Sequence, residues 1–251
     1  MSTLLLRLAG PMQSWGSDSK FEVRRTDGIP TKSAIVGLLA AALGRKRTEN
    51  LDDLNALRFG VREDHPGEIR CDFQMVIAKT SGKKETSYLT RRYYIEDGIF
   101  LAGLESDDKS FLQALEEALK HPVFHLFLGR KSCPPTFPFV LGIRDLSLAE
   151  ALQNEPWLLP DWRRKTANNM LRILMDCAKD DPVHGIKRDV PISFDSERRE
   201  YRSRGIFQKY IFVENGSGDM ESDQKETDFK LTEHDPMTEL EGEYVSFEST
   251  T

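Results

Sequence analysis

Two periods of apolar and polar positions run through this chain of 251 residues. Residues 3–9 form a compact apolar run that predicts a central strand, ended by Gly10-Pro11 and followed by a loop over 12–16. Residues 28–44 predict a helix: Pro30 and Thr31 give the start signal, with Thr31 as N-cap, and Gly44 gives the stop. Between them almost nothing is polar, the pattern of a helix buried all round against a sheet. Residues 57–63 and 69–79 alternate as strands. A hairpin tip is expected around Gly82, with strands returning over 88–101. Phe111, Leu112, Leu115, Ala118 and Leu119 mark one face of an amphipathic helix over 109–120. A strand is expected over 123–128, and 137–143 is apolar again.

The order strand, helix, strand, strand, helix, strand predicts an α+β class: a modified ferredoxin-like domain over 1–150, the arrangement that RNA-recognition domains share, with a β-hairpin thumb around 79–95. Residues 151–213 change character. They predict a smaller β-rich region, with strands over 170–177 and 205–213 bracketing Lys187 to Phe194 and a charged stretch over 196–204.

Charge then alters the picture. The net charge of −6 argues against a nucleic-acid binder, but it is unevenly spread. Residues 214–251 carry 12 acidic side chains against two lysines, leaving 33 basic and 29 acidic groups in the first 213. A mildly basic body thus precedes an acidic tail, poor in aromatics and expected to be disordered. Cys71, Cys133 and Cys177 are far apart and unpaired in spacing, which fits reduced thiols in a cytoplasmic protein and gives no zinc signature. No apolar run approaches a membrane span or a signal peptide, so a soluble protein without membrane contact is expected.

Three stretches carry candidate chemistry. At the helix start, Thr31, Lys32 and Ser33 offer two hydroxyls, an ammonium and unpaired N–H groups at the positive end of the dipole, and Arg24 and Arg25 lie just upstream. This is either a phosphate site or an ordinary cap with a solvated lysine. Gln13 and Trp15, just past the first strand, either hydrogen-bond and stack on a base or plug the core. Around the hairpin, Lys79, Lys83, Lys84, Arg91 and Arg92 are interleaved with Tyr88, Tyr93 and Tyr94, combining phosphate contact with base stacking. The alternative is a solvated loop beside an edge strand that uses lysine against aggregation.

Five ordered motifs, from Leu6 to Phe194, resemble the CasD-type subunits of the type I-E CRISPR Cascade complex, within the repeat-associated mysterious protein superfamily. They are Leu6-Arg7-Leu8-Ala9-Gly10-Pro11-Met12-Gln13-Ser14-Trp15-Gly16; Pro30-Thr31-Lys32-Ser33 with Gly37-Leu38-Leu39-Ala40; Thr90-Arg91-Arg92-Tyr93-Tyr94; Leu128-Gly129-Arg130-Lys131-Ser132-Cys133-Pro134; and Arg188-Asp189-Val190-Pro191-Ile192-Ser193-Phe194. The resemblance implies an RNA-recognition fold whose thumb wedges against the neighbouring backbone subunit. It also implies a subunit that holds the 5′ handle of the mature CRISPR RNA at one end of a surveillance complex, beside the large subunit and other Cascade subunits. Target DNA would be met only indirectly. Carried onto this sequence, Thr31, Lys32 and Ser33 would hold handle phosphates and Arg92 would contact a handle base. Gln13 and Trp15 would lie near the same groove, with Gly129, Arg130, Lys131 and Ser132 lining it. Where relatives often carry a His-Thr pair after an Asp-aromatic pair, Asp72-Phe73 is followed here by Gln74-Met75.

A related subunit in another subtype is a metal-independent endoribonuclease that processes CRISPR repeat RNA, chemistry that usually needs a histidine. His65, His121, His125, His184 and His234 all fall outside the RNA-facing segments named above. The expectation is therefore binding without catalysis, with no metal or cofactor, against two alternatives: the nuclease and a protein-only adaptor. On this reading Lys32→Ala and Arg92→Ala weaken handle binding and leave folding intact.

Overall fold

The computed structural model describes residues 1–16, 22–78, 86–178, 181–195 and 197–213. Lys79, Lys83, Lys84, the hairpin tip and the acidic tail lie outside these described residues.

Among the described residues, eleven strands and five helices follow in the order β1 (Ser2–Ala9), β2 (Met12–Gln13), β3 (Val23–Arg24), α1 (Lys32–Ala42), α2 (Asp52–Ala56), β4 (Arg58–His65), β5 (Glu68–Ala78), β6 (Thr86–Glu96), β7 (Ile99–Ser106), α3 (Lys109–Lys120), β8 (Val140–Arg144), α4 (Leu148–Asn154), α5 (Asp161–Arg164), β9 (Met170–Asp176), β10 (Gly185–Phe194) and β11 (Arg199–Phe212). The class is α+β. Seven strands form one sheet in the order β10-β11-β9-β4-β7-β1-β8, and every pairing in it is antiparallel.

The middle of this sheet shows why these residues form strands with two buried faces. In β1, Leu4, Leu6 and Leu8 join the core beneath α1 and α3, while Leu5 enters the core beneath α4. β7 repeats this, with Phe100, Ala102 and Leu104 on one side and Leu101 on the other. Successive side chains of a strand point to opposite faces, so an unbroken apolar run fills both. Gly60 and Gly103 stand opposite each other in the β4–β7 register. A Cβ on either would press within 3 Å of Leu152 or Leu148 of α4, so the two glycines let that helix seat its leucines.

The structure departs from the sequence reading at four places. The return strand over 88–101 is broken at Asp97, whose φ of 55° turns the chain from β6 into β7 in the other sheet. Residues 123–128 are not a strand: Val123 and Phe124 donate their N–H groups to the carbonyls of Ala42 and Ala41 and close the C-terminal end of α1. The fourth central strand is instead β8. The helix α4, with a Ser147–Glu150 capping box, was not foreseen. Residues 151–213 are not a separate region either, because β9 pairs with β4 and carries β11 and β10 onto the same sheet.

The smaller sheet is built on β6. Its long partner is β5, in register from Glu68↔Glu96 to Ala78↔Thr86. On its other edge β2 pairs antiparallel at Ile95 and Glu96, and β3 pairs parallel at Arg91 and Arg92.

Candidate nucleic-acid interface

The candidate residues separate into an interior set and a surface set. Gln13 and Trp15 are wholly buried. Gln13 Nε2 donates to the carbonyl of Gly98 at 2.6 Å, and Trp15 Nε1 donates to Gln13 Oε1 at 3.1 Å. The Trp15 backbone is bridged to Asp27, and its N–H donates to Thr26 Oγ1 at 2.8 Å. The pair plugs the junction of β1, β3 and β7, so neither ring nor amide is presented to a base.

The start of α1 is closed as well. Thr31 is buried and accepts from the N–H of Ala34 as the N-cap, with Ser33 Oγ at 3.3 Å from its hydroxyl. The Lys32 N–H donates to Asp189 Oδ2 at 2.9 Å. Its ammonium donates to Asp176 Oδ2 and the Leu57 carbonyl, both at 2.8 Å. Arg204 completes the group: Nε and Nη2 donate to Asp189 at 2.6 and 2.9 Å, and Nη1 to Asp176 at 2.5 Å. Two cations and two carboxylates thus neutralise each other inside the body. Burial pushes the Asp189 carboxyl up, but the Arg204 hydrogen bonds and charge and the Lys32 N–H outweigh it and hold it below the usual carboxylate range. The anion at this helix start is Asp189 itself, from the Arg188–Phe194 motif. That motif also lays Phe194 against Gly37, 3.5 Å from where a Cβ would stand. Lys32 and Thr31 are therefore structural as placed, a correction to the phosphate reading.

The surface set comes together from three separated segments. β3 lies beside β6 so that Val23 faces Arg91 and Arg24 faces Arg92 in register. The Arg91 N–H donates to the Glu22 carbonyl at 2.8 Å. Arg130 donates from Nη2 to the Arg24 carbonyl at 2.8 Å and stacks over the Tyr94 ring at 4.5 Å. Arg24, Arg25 and Arg91 are exposed and Arg92 and Arg130 half-buried. Arg92 Nε and Arg130 Nη1 are buried without a hydrogen-bond partner among the described residues. Lys131 and Ser132 are exposed on the turn that carries Arg130. Gly129 is the hinge of that turn: with φ of +85°, a Cβ there would stand 1.7 Å from the Ser14 carbonyl oxygen. Two of the sequence motifs meet at this contact.

Along the hairpin, residues alternate between faces. Phe73, Met75, Ile77 and Leu89 are exposed on one face, with Arg91 5.8 Å from the Phe73 ring centre. Tyr93 stands opposite Cys71, and burial together with the Cys71 contact pushes its phenol up. The other face bears Tyr88, Val76 and Arg92. There a cavity of about 480 Å³ opens between Arg70, Asp72, Gln74, Tyr94 and Ser132. The four described histidines lie elsewhere: His65 accepts from the Gly67 N–H, His184 stacks on Phe207, and His121 and His125 are exposed near the end of α3.

Residues 3–206 match the family model described as "CRISPR-associated protein (Cas_Cas5)". The chain belongs to the Cas5 family. Among its relatives is the CRISPR system Cascade subunit CasD of Escherichia coli (strain K12), 32% identical over 163 residues, which cover 56% of this chain and 70% of that one. A solved structure described as "Crystal structure of Cas protein" is 40% identical, covers 84% of this chain and 95% of that one, and gives a TM-score of 0.64. A chain of a "CRISPR RNA-guided surveillance complex" is 29% identical, covers 84% and 90%, and gives a TM-score of 0.70. Among the described residues no His, Cys, Asp or Glu cluster suited to a metal occurs, and no helix is long and apolar enough to cross a membrane.

Proposed function

We propose that this Cas5 chain is a CasD-type subunit of a CRISPR surveillance complex in the cytoplasm and holds the 5′ handle of its guide RNA without cutting it. One observation carries the reading. Arginines 24, 25, 91, 92 and 130, from three distant segments, are drawn together along β6 by the β3–β6 pairing and the Arg130–Arg24 bond, with Arg91 on one face of the strand and Arg92 on the other. A cluster of guanidinium groups fits a polyanion such as an RNA backbone. Tyr88, Tyr93 and the Arg130–Tyr94 stack beside them suit bases, as expected of single-stranded RNA.

In this reading β8-β1-β7-β4 with α1 and α3 is the ferredoxin-like unit, and β5–β6 is its thumb. Lys79, Lys83 and Lys84, which lie in sequence between β5 and β6, would add RNA-binding cations, and Gly129 to Ser132 would close the groove. Ser33, half-buried beside the cap, would contribute at most a peripheral contact. The exposed Phe73, Met75, Ile77 and Leu89 fit a thumb wedged against a neighbouring subunit, since monomers rarely leave such a strip in water.

The test incubates the full chain, in chelator, with labelled repeat RNA and with guide RNA bearing its 5′ handle. Retention of intact RNA, lost on scrambling the handle, is the expected result. Cleavage at one position in the repeat would replace this reading with a processing nuclease. Salt-independent, weak RNA affinity would favour a protein adaptor.

A further inference from the structure

The chain has three tryptophans, and they are placed very differently. Trp15 and Trp157 are buried, whereas Trp162 is 74% exposed. Leaving an indole in water forgoes the stabilisation that its burial would bring. Its exposure is not that of a loose loop. Arg164, two residues on, donates from Nε to the Leu159 carbonyl and from Nη2 to the Trp157 carbonyl, both at 2.7 Å. Trp157 Nε1 in turn donates to the backbone carbonyl of Asp64, beside the fully buried Arg62–Asp64 pair. The helix α5 is thus clamped to the end of β4, and Trp162 is held outwards on a rigid mount.

Its surroundings are charged. The Arg163 guanidinium lies 5.4 Å from the indole centre, and Lys165 and Thr166 beside it are exposed. Arg163 also reaches to 4.0 Å from Asp97, at the corner where the hairpin strand β6 turns into β7, and burial, with the Arg163 charge added, lowers the pKa of the neighbouring His65. Protein interface cores favour Trp and Arg but are depleted of Lys and Asp, which here stand beside the ring as Lys165 and Asp161. Asp161 beside the ring is engaged by Arg164 at 2.9 Å, and an exposed indole with Arg163 over it and Lys165 nearby is the make-up of a stacking platform for single-stranded nucleic acid.

We propose that Trp162 is a nucleobase-stacking site at the foot of the hairpin, taking an unpaired RNA base while Arg163 and Lys165 face the flanking phosphates. The inference rests on the RNA-binding reading above but concerns residues outside the ridge of arginines 24, 25, 91, 92 and 130.

The experiment titrates the full chain with handle-bearing guide RNA and compares wild type with Trp162→Ala and Trp162→Phe. RNA is expected to quench tryptophan emission in the wild type. Trp162→Ala should weaken RNA affinity about tenfold, as loss of one base stack does, without lowering the salt slope. Trp162→Phe, which keeps a ring, should stay within about threefold of wild type. Equal affinity of wild type and Trp162→Ala would overturn the inference and leave the handle reading standing. Loss of association with partner subunits at unchanged RNA affinity would overturn it in favour of a protein contact. Wild type with no RNA affinity at all would remove both readings. Unchanged thermal melting of both variants is expected, since the side chain is in solvent.

Discussion

The start of α1 and the β3–β6 ridge look alike in sequence: each sets cations beside hydroxyls or aromatics. In the fold they have opposite roles. At α1 every cation has an internal carboxylate, with Asp176 and Asp189 facing Lys32 and Arg204. On the ridge, arginines from three segments crowd together and two buried guanidinium nitrogens remain without hydrogen bonds among the described residues. The lesson concerns compensation. A helix start attracts an anion, but the chain can supply that anion itself from a strand more than 150 residues away.

The sharpest way to break this contrast is to remove one member of the interior group. Lys32→Ala leaves Asp176 buried with less compensation and should cost about 3 kcal/mol of stability, read by denaturant unfolding. This reverses the sequence-based expectation that the substitution spares folding. Unaltered stability with weakened RNA binding would restore the phosphate reading. The same group sets a pH dependence. The folded carboxyl of Asp189 sits below its unfolded value near 3.8, so its contribution is present above that pH and is lost as pH falls through the folded value. Asp189→Asn should be less stable than wild type at neutral pH and should flatten the loss of stability below about pH 4.

Next in size is the turn that joins the two motifs. Gly129→Ala must either move the Ser14 backbone or abandon the left-handed conformation, at a cost of about 2 kcal/mol or more. It should displace Arg130 from Tyr94 and the Arg24 carbonyl, so RNA affinity should fall together with stability. Arg92→Ala isolates the ridge. Removing a charge-assisted contact should weaken handle binding by about 1.5 kcal/mol, roughly tenfold, and reduce the salt slope by about one, with melting unchanged. Equal losses on the handle and on a scrambled RNA would make Arg92 a phosphate contact and leave base reading to other residues.

How much of this was legible depends on where the signal lies. Local periodicity placed β1, α1 and α3 nearly to the residue, because each is a continuous apolar run or stripe between caps. It failed over 123–128, where apolar residues seal the end of α1 with Val123 against Gly44 rather than pairing in a sheet. It ran β6 into β7 because a left-handed aspartate breaks a strand without interrupting its apolar pattern. The site divided in the same way. Arg91 and Arg92 were visible because strand chemistry is local. The burial of Lys32 was not, since its partners are 144 and 157 residues distant and every one of them reads as an ordinary charge. Trp162 passed unnoticed because a single tryptophan in a polar stretch looks the same whether it turns inwards like Trp15 or outwards.

The smallest effect sharpens the comparison most finely. Thr31 caps α1 through a long 3.4 Å bond from the Ala34 N–H, while Asp189 already accepts from the first N–H of the helix, that of Lys32. Thr31→Ala should therefore cost only about 1 kcal/mol of stability, the ordinary loss of an N-cap hydroxyl. Handle affinity should not move, because the hydroxyl is buried and directed at its own helix. A larger drop in affinity than in stability would mean that the helix start opens when RNA arrives and exchanges Asp189 for a phosphate. In that case Lys32 and the ridge would belong to one interface, and the division between interior and surface would hold only for the RNA-free chain.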